Sequence, residues 1–397
     1  MKFDLVIKAK QALTLKGGIR TKKKLRELAI VEDALIGING EKIAYIGEEK
    51  SYEAKQEIYA QLAMPAFIDA HTHSLFFGSR ENEFEMRIEG LSYSEILKKG
   101  GGIWKTVNQT KKASDEEILR VTKERIEYML EHGTTVIEIK SGYGIEPSEE
   151  LRELRLINKL KNLTKATIIP TLLAHLKPTD KWIDEFMNLI PIVAEEKLAE
   201  FIDSFCDLGA LSYEDTFRIF SIASKYKLKL KAHVGELADI GCGALVKDFN
   251  LVSLDHIIYL DEASLNYMIE KKTCGVILPA TSFSLISKYA DVRNYIDKGL
   301  IIALASDFSP ASWINDMQSV IAIACRTLKM TQAECISAST INAAYALALH
   351  EKYGSIEEGK FADLILLNVP NYKWVGYTLG YNHVETVIKH GKIIFEK

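Results

Sequence analysis

Two histidines one residue apart, His71 and His73, follow a short apolar segment and are spaced to bind one metal ion together. Side chains alternate between the two faces of an extended chain, so both imidazoles would point to the same side. His233 and Asp307 lie at the ends of two further apolar segments. Three neutral imidazoles and one carboxylate suit Zn²⁺ or Fe²⁺ and are poor ligands for Mg²⁺ or Ca²⁺. The residue types therefore predict a transition-metal site.

The predicted strands explain how residues so far apart would meet. From residue 64 onward, short apolar strands alternate with helical stretches of ten or more residues, which predicts parallel βα units. The eight strand candidates are Ala66–Ala70, Thr134–Lys140, Thr167–Leu173, Phe201–Phe205, Leu228–Val234, Val252–Asp255, Cys274–Leu278 and Ile301–Ala305. Eight units are what a (β/α)8 TIM-type barrel needs, and the carboxyl ends of its strands open onto one face. Several candidates end in polar residues, so we expect one shared site there.

The two ends of the chain predict a different kind of structure. Alternating apolar and polar residues around Asp4–Ile7 and Ile43–Ile46, with a tight turn at Asn39-Gly40, indicate a small antiparallel β unit. A second hairpin is predicted from Val384–Lys389 and Lys392–Phe395. We therefore expect an α/β protein in which residues 1–64 and 351–397 form one composite β-sandwich domain, while residues 65–350 form the barrel.

The composition is that of an ordinary globular protein and excludes several classes of function. The 397 residues are 47% hydrophobic and 26% charged, and the net charge of −4 gives no sign of binding to nucleic acid or to a membrane. The N-terminal segment lacks a signal-like apolar stretch, and no run approaches membrane-spanning length. The five cysteines are widely spaced and form no Cys-x-x-Cys pair, so we expect buried free thiols and a cytoplasmic location.

Several motifs resemble the amidohydrolase superfamily. These are Pro65–Asp69 leading to His71-Thr72-His73, the late Asp307, and Gly354–Glu357 followed by Gly359–Leu364. Four further stretches resemble, more narrowly, the imidazolonepropionase family: Phe77–Phe84, Gly100–Ile103, Lys140–Gly144 and Ala338–Ala344. The resemblance extends over nearly the whole chain.

The resemblance implies a particular reaction and a particular set of contacts. It implies a homodimer that hydrolyses the small molecule 4-imidazolone-5-propanoate to N-formimidoyl-L-glutamate in histidine degradation. One Zn²⁺ or Fe²⁺/Fe³⁺ per chain would be held by His71, His73, His233 and Asp307. The implied substrate contacts are Arg80, Tyr93, Tyr143, His175, Glu236, Ser309, Ala311 and Ser312. Three positions depart from the family pattern, since Ser309 and Ala311 replace Asn and Gly, and Gly235 stands where Asp is common.

Together these residues predict metal-assisted hydrolysis of a small cyclic amide. The bound ion would lower the pKa of a coordinated water toward neutrality. Either Asp307 or Glu236 would take the proton and return it to the leaving nitrogen, and the sequence does not distinguish them. His256 would donate a hydrogen bond to the oxygen that becomes negative. Arg80 would clamp the substrate carboxylate, because a guanidinium matches a carboxylate with two parallel hydrogen bonds.

Three alternatives stay open at this point. The same metal, Glu and His set serves other cyclic-amide hydrolases and heterocycle deaminases, although an uncharged base would leave Arg80 without a carboxylate to bind. A carboxylated Lys140 would bridge two metal ions, as in dihydroorotases and hydantoinases, whereas its Lys-Ser-Gly-Tyr-Gly context favours the single-metal type. A catalytically silent scaffold barrel would be expected to lack metal ligands or Glu236, and all of them are present.

Overall fold

The chain begins with four strands of an outer β-sheet. They are β1 (Lys2–Leu13), β2 (Ile30–Asn39), β3 (Lys42–Gly47) and β4 (Glu53–Pro65). β1 pairs with β2 in the antiparallel sense and with β4 in the parallel sense. The predicted turn after Asn39 connects β2 to β3. The computed structural model describes residues 1–48, 50–91 and 93–397, except for the side chains of Tyr93, Ser94 and Leu97.

Eight parallel strands follow and form the barrel. They are β5 (Phe67–Asp69), β6 (Thr134–Lys140), β7 (Thr167–Ala174), β8 (Phe201–Cys206), β9 (Lys229–Val234), β10 (Leu251–His256), β11 (Cys274–Ile277) and β12 (Ile301–Leu304). Each strand pairs with its neighbours in chain order. Every strand overlaps the segment predicted for it, so the predicted (β/α)8 barrel is confirmed.

Hydrogen bonds beyond the ends of β5 and β12 join the first strand of the barrel to the last. Asp307 N donates to the His71 carbonyl at 3.0 Å, and His73 N donates to the carbonyl of the residue after Asp307 at 2.9 Å. The buried Asp69 carboxylate accepts from the backbone N of Ser306 at 3.0 Å and from its hydroxyl at 2.5 Å. These contacts place the paired histidines directly beside Asp307.

Helices connect the barrel strands and cover their outer side. They are α1 (Glu81–Ile88), α2 (Tyr93–Lys98), α3 (Ile103–Lys112), α4 (Asp115–Glu131), α5 (Pro147–Leu163), α6 (Trp182–Glu195), α7 (Tyr213–Lys225), α8 (Leu245–Asp248), α9 (Glu262–Lys271), α10 (Pro279–Leu285), α11 (Val292–Lys298), α12 (Met317–Thr327), α13 (Gln332–Ala338) and α14 (Ile341–Ala346). In α4, buried Ile118, Thr122 and Ile126 recur every four residues and give the helix one inward face. Ser114 and Glu117 form a capping box that fixes where α4 begins.

The last three strands return to the outer sheet. They are β13 (Leu364–Leu367), β14 (Val384–Lys389) and β15 (Lys392–Glu396). β13 pairs with β4, so the seven strands run in the order β15-β14-β13-β4-β1-β2-β3. The prediction that both termini build one composite β structure is confirmed. The domain limits at residues 64 and 350 stay a prediction.

The expectations drawn from composition have different outcomes. Within the described ranges, no helix combines the length and apolar character that crossing a membrane requires. The expectation of five free thiols is wrong, because Cys206 at the end of β8 forms a disulfide with Cys242. Their Cα atoms lie 5.9 Å apart, a normal separation for a disulfide. Cys206 ends β8, and Cys242 follows the neighbouring strand β9. The spacing of 36 residues between the two cysteines did not indicate that they would lie together. The thiols of Cys274, Cys325 and Cys335 are free.

A buried aspartate joins the outer sheet to the barrel. The Asp363 carboxylate accepts hydrogen bonds from Thr135 Oγ1 in β6 at 2.9 Å and from the backbone N of His390 at 2.9 Å. It also accepts from Lys389 Nζ at 2.5 Å, and the two side chains of this ion pair are only 5% and 6% exposed. The Lys389 charge therefore stays inside the protein because Asp363 lies beside it.

We expect Asp363→Ala to lower the free energy of unfolding by about 3–5 kcal/mol, because removing one partner of a buried ion pair leaves the other charge uncompensated. The midpoint of urea denaturation, followed by circular dichroism, measures the effect. The solvent-accessible pair of Glu262 and Lys298 provides the control, since Glu262→Ala should leave the midpoint nearly unchanged. An unchanged midpoint in Asp363→Ala would contradict this role.

Candidate active site

The three histidines and the aspartate predicted as metal ligands lie together at the carboxyl ends of the barrel strands. His71 Nε2 and His73 Nε2 lie 3.4 Å and 3.3 Å from Asp307 Oδ1. His233 Nε2 lies 3.4 Å from His73 Nε2. All four side chains are buried, and those of His71, His73 and Asp307 offer ligand atoms close enough to hold one ion. The fold thus brings the predicted donor atoms to one point.

The spacing of these atoms fits one tetrahedral ion. Metal–ligand bonds of about 2.0–2.1 Å place neighbouring ligand atoms of a tetrahedron about 3.3–3.4 Å apart. The distances from Asp307 to His71 and His73, and from His73 to His233, are 3.3 or 3.4 Å. His71 Nε2 is also buried without a hydrogen-bond partner among the described atoms, as expected of a nitrogen whose lone pair serves a cation. The residues present therefore fit a metal ion.

Two buried carboxylates orient the histidine rings. Asp255 Oδ2 lies 2.6 Å from His71 Nδ1, and Asp203 Oδ1 lies 3.0 Å from His233 Nδ1. A carboxylate at Nδ1 keeps the proton on that nitrogen and directs the lone pair of Nε2 into the site. Burial, followed by the charges of Lys140 and His233, lowers the pKa of His71 to about 4. His71 is therefore neutral at neutral pH, the form that binds a metal.

Two buried lysines compensate the carboxylates beneath the histidines. Lys140 Nζ lies 2.7 Å from Asp203 and 2.9 Å from Glu138. Lys231 Nζ lies 2.8 Å from Glu138 and 3.5 Å from Asp255. Burial alone would lower the pKa of Lys140, but the charges of Asp203, Glu138 and Asp255 outweigh it and hold the pKa above its ordinary value. Only a neutral amine can be carboxylated, so this environment disfavours the two-metal alternative.

The predicted catalytic residues are neighbours. His256 Nε2 lies 3.5 Å from Glu236 Oε2 and 3.9 Å from Asp307 Oδ2. Thr281 Oγ1 donates a hydrogen bond to the same Asp307 oxygen at 2.6 Å. Because Oδ1 of Asp307 faces the metal-binding histidines, Thr281 fixes which oxygen points to the cluster and which one points away.

The closed environment changes the acid–base properties of these groups. Burial, followed by the charge of Asp307, raises the pKa of Glu236 to about 8. Burial lowers the pKa of His256 and also that of His175, which falls to about 3. Burial would raise the pKa of Asp307, but its contacts with His71 and His73 keep it well below its ordinary value. An ionised Asp307 beside the neutral His71 is the arrangement that attracts a cation.

A cavity of about 570 Å³ opens above the cluster and contains most of the predicted substrate contacts. Its lining includes Arg80, Tyr143, His175, Ser309 and Ala311, together with His73, His233, Glu236, His256 and Asp307. The His175 ring lies 3.0 Å from the carbonyl of Gly142, next to Tyr143. A concave site of this size with a few converging polar groups is typical of binding to a small molecule.

Two predicted substrate contacts are not brought to this lining. Ser312 is fully buried, its backbone N donates to Ser309 Oγ at 3.3 Å, and its hydroxyl lies 3.2 Å from that of Ser284. Tyr93 begins α2, but its side chain lies outside the described residues. The roles of both residues stay predictions.

The glycine that departs from the family pattern has a steric reason. Gly235 adopts φ +62°, and a Cβ at this position would lie 1.9 Å from the carbonyl oxygen of Tyr259. The Gly235 carbonyl also accepts from Tyr259 N at 2.8 Å. An aspartate would clash in this backbone, and glycine allows the chain to turn between His233 and Glu236.

Sequence reasoning missed the charges that support the ligands. Glu138 precedes Lys140 by two residues, and Lys231 precedes His233 by two, so each pair points to the same side of its strand. Charged residues inside apolar strands need buried partners, and this period-two pattern would have identified both residues. Thr281 lies on a helix and carries no comparable signal.

We expect His73→Ala and Asp307→Ala to lose the bound divalent metal ion while keeping the circular dichroism spectrum of the wild type. Each variant removes one of four ligands at the end of the barrel and leaves the packed interior in place. Elemental analysis of the purified variants measures the metal. His132→Ala is the control, because His132 lies at the end of α4, away from the cluster. Full metal content in His73→Ala would refute this ligand set.

Comparisons with known proteins agree with this fold. The model of the amidohydrolase family matches residues 211–394. An adenosine deaminase from Xanthomonas campestris with bound zinc has a TM-score of 0.74 at 17% identity, over 99% of this chain and 93% of that chain. Guanine deaminase from E. coli has a TM-score of 0.75 at 15% identity, over 99% of both chains. At this identity, the solved structures show the fold alone.

Curated relatives identify the family more narrowly. The chain is 43% identical to imidazolonepropionase from Thermoanaerobacter pseudethanolicus, over 90% of this chain and 89% of the relative. It is 38% identical to imidazolonepropionase from Alkaliphilus oremlandii, over 100% of this chain and 99% of the relative. The amidohydrolase match and the cluster of His and Asp residues together support a divalent metal ion at this site. The chain belongs to the imidazolonepropionase family of the amidohydrolases.

Proposed function

We propose that this protein opens the ring of 4-imidazolone-5-propanoate by hydrolysis and releases N-formimidoyl-L-glutamate, as a step of histidine degradation. The observation that carries the proposal is the presence of Arg80 and the His/Asp cluster in one cavity. The cluster suits attack by water on a carbonyl group, and the guanidinium suits the carboxylate of the propionate tail. The relatives named imidazolonepropionase support the same substrate.

The proposal includes one Zn²⁺ or Fe ion per chain. When bound by His71, His73, His233 and Asp307, such an ion lowers the pKa of a water molecule in its coordination shell and polarises a carbonyl oxygen. The groups of potential ligand atoms among the described residues all share His71, which supports one ion. Three imidazoles and a carboxylate suit either metal.

The residues around the cluster bind the substrate, stabilise the developing negative charge and transfer protons. Arg80 binds the propionate carboxylate and so places the ring carbonyl over the cluster. His256 donates a hydrogen bond to the carbonyl oxygen as negative charge develops there. Asp307 Oδ2, which points away from the other ligands, accepts a proton from the attacking water. Glu236, beside His256, delivers a proton to the ring nitrogen as the C–N bond breaks, and the proton taken up by Asp307 restores Glu236 when the product leaves.

The proposal also includes a homodimer that acts in the cytoplasm. The exposed side chains of Tyr377, Leu379 and Tyr381 support an interface, because large apolar side chains exposed to solvent favour burial against a second chain. Three free thiols support a reducing compartment, although the disulfide of Cys206 does not. Light scattering on the purified protein and fractionation of the source cells test the two statements.

We expect Arg80→Met to lower kcat/KM for imidazolonepropionate by about tenfold to a hundredfold. A bidentate contact between arginine and carboxylate contributes on the order of 1.5–3 kcal/mol. Arg80→Lys should recover only part of the loss, because it keeps the charge but lacks the planar fork. Steady-state kinetics with metal-replete protein measures both.

An imidazolone without the propionate tail provides the matched control substrate. The wild type should turn it over poorly, and Arg80→Met should barely change that rate, because this compound does not use the clamp. Equal losses on both compounds would mean that Arg80 is a structural charge. No turnover of imidazolonepropionate by metal-replete wild type would refute the proposed function.

Metal stoichiometry provides a separate prediction. On titration with Zn²⁺ or Fe²⁺, the bound metal should level off near one ion per chain, because the four proposed ligands lie in one cluster. Activity should not depend on added bicarbonate, since Lys140 is held by Asp203 and Glu138. Two tightly bound ions per chain would favour the carboxylated-lysine alternative instead.

A further inference from the structure

The glycine-rich motif Gly100–Ile103 has no role in the proposed reaction, and its surroundings suggest one. The loop lies next to Glu83, the third residue of α1. Glu83 is 2% exposed, which is unusual for a carboxylate unless it is paired. Its two oxygens have different partners, and these partners connect the loop to Arg80.

One oxygen of Glu83 holds Arg80 and the other holds the glycine loop. Arg80 Nε and Nη2 donate to Glu83 Oε2 at 2.8 Å and 2.5 Å. The backbone N of Gly102 donates to Glu83 Oε1 at 2.9 Å. The Arg80 and Glu83 side chains are 9% and 2% exposed, so this ion pair is largely shielded from water. A shielded, charge-assisted pair constrains a side chain more than an exposed pair does.

The contact determines how the guanidinium faces the cavity. Glu83 occupies the Nε–Nη2 edge of Arg80, and the guanidinium is planar with its donors in a fixed fork. The Nη1–Nη2 edge is then the one suited to receive a second carboxylate in parallel. Arg80 lines the cavity above the metal cluster. Glu83 therefore orients the guanidinium of Arg80 and leaves the Nη1–Nη2 edge to bind the carboxylate of a substrate.

The glycines permit this arrangement. A Cβ at Gly101 would lie 2.7 Å from Ile96 Cγ2 and 3.1 Å from Glu83 Cδ. A real Cβ does not come this close to a carbon such as Ile96 Cγ2, and it would also push against the carboxyl group of Glu83. The absence of a side chain at Gly101 thus allows the loop to come within hydrogen-bonding distance of Glu83.

We propose that Glu83, fixed by the Gly100–Ile103 loop, is a positioning residue that sets the orientation of Arg80 and so restricts the cavity to substrates with a carboxylate tail. Glu83 acts through Arg80 and does not touch the reacting atoms. This inference rests on the proposed function, because it assigns the support of the same substrate clamp.

The test is a double-mutant cycle with metal-replete protein and two substrates. We expect Glu83→Gln to lower kcat/KM for imidazolonepropionate by about tenfold to a hundredfold, mainly through KM, since a small misplacement of a positioning group has effects of this size. Turnover of the tailless imidazolone should not change. In an Arg80→Met background, adding Glu83→Gln should cause no further loss, because the residue acts only through Arg80. A merely structural residue would give additive losses on both substrates.

Matched variants keep the test decisive. Glu85→Gln changes an exposed carboxylate of the same helix and should leave both substrates unaffected. If Glu83→Gln does not fold, Glu83→Asp replaces it, because it keeps the charge but is too short to hold Arg80 and the loop together, and it should raise KM for the acid substrate alone. Full additivity with Arg80→Met, or an unchanged KM in the folded variant, would overturn the inference. If the wild type does not turn over imidazolonepropionate, the proposed function fails. If the wild type and Arg80→Met behave as expected but Glu83→Gln has the kinetics of the wild type, only the positioning role of Glu83 is overturned.

Discussion

The balance of charge beneath the metal ligands constrains the rest of the site. The ligand Asp307 and the network of ion pairs beneath the histidines contain four carboxylates and two ammonium groups, those of Glu138, Asp203, Asp255, Asp307, Lys140 and Lys231. Buried charge is costly unless opposite charge lies beside it, and this set leaves two negative charges uncompensated. A divalent cation among neutral imidazoles compensates both. The electrostatics of the barrel interior therefore favour a doubly charged ion independently of the spacing of its ligands.

A second group of buried carboxylates holds the loops that surround the cavity. Glu153 Oε2 accepts from the backbone N of Gly142 and of Tyr143 at 3.0 Å and 3.2 Å. Asp207 accepts from three consecutive backbone N–H groups beginning at Glu236, at 2.6, 3.1 and 3.0 Å. Several backbone N–H groups that share one buried carboxyl group as acceptor can fix a loop that lacks regular structure, because losing the acceptor would leave these buried donors unpaired. Side chains on these loops are therefore held in position about as firmly as side chains on the strands.

The sequence predicts those features that depend on local periodicity. The eight barrel strands follow from short apolar segments that alternate with helical stretches. The composite sheet and the pairing of His71 with His73 follow from side chains that alternate between the two faces of a strand. Contacts across the barrel are different, because they depend on strand register and loop path. The disulfide of Cys206, the hydrogen bond from Gly102 to Glu83 and the hydrogen bond from Thr281 all join distant segments. None of them leaves a pattern in either segment alone.

The two parts of the cavity determine different properties of the enzyme. A metal centre that activates water can attack any suitably polarised carbon presented to it, so it sets the class of reaction. The substrate is chosen by the group that presents the ring. A buried guanidinium in a fixed orientation discriminates well, because a ligand without a carboxylate would leave its remaining N–H donors without an acceptor in the closed cavity, and an unpaired buried donor costs more than a lost apolar contact. Arg80 lies at the end of a loop, and Glu83 holds it from the next helix. Selectivity can therefore change through this short segment while the cluster and its buried charges stay as they are.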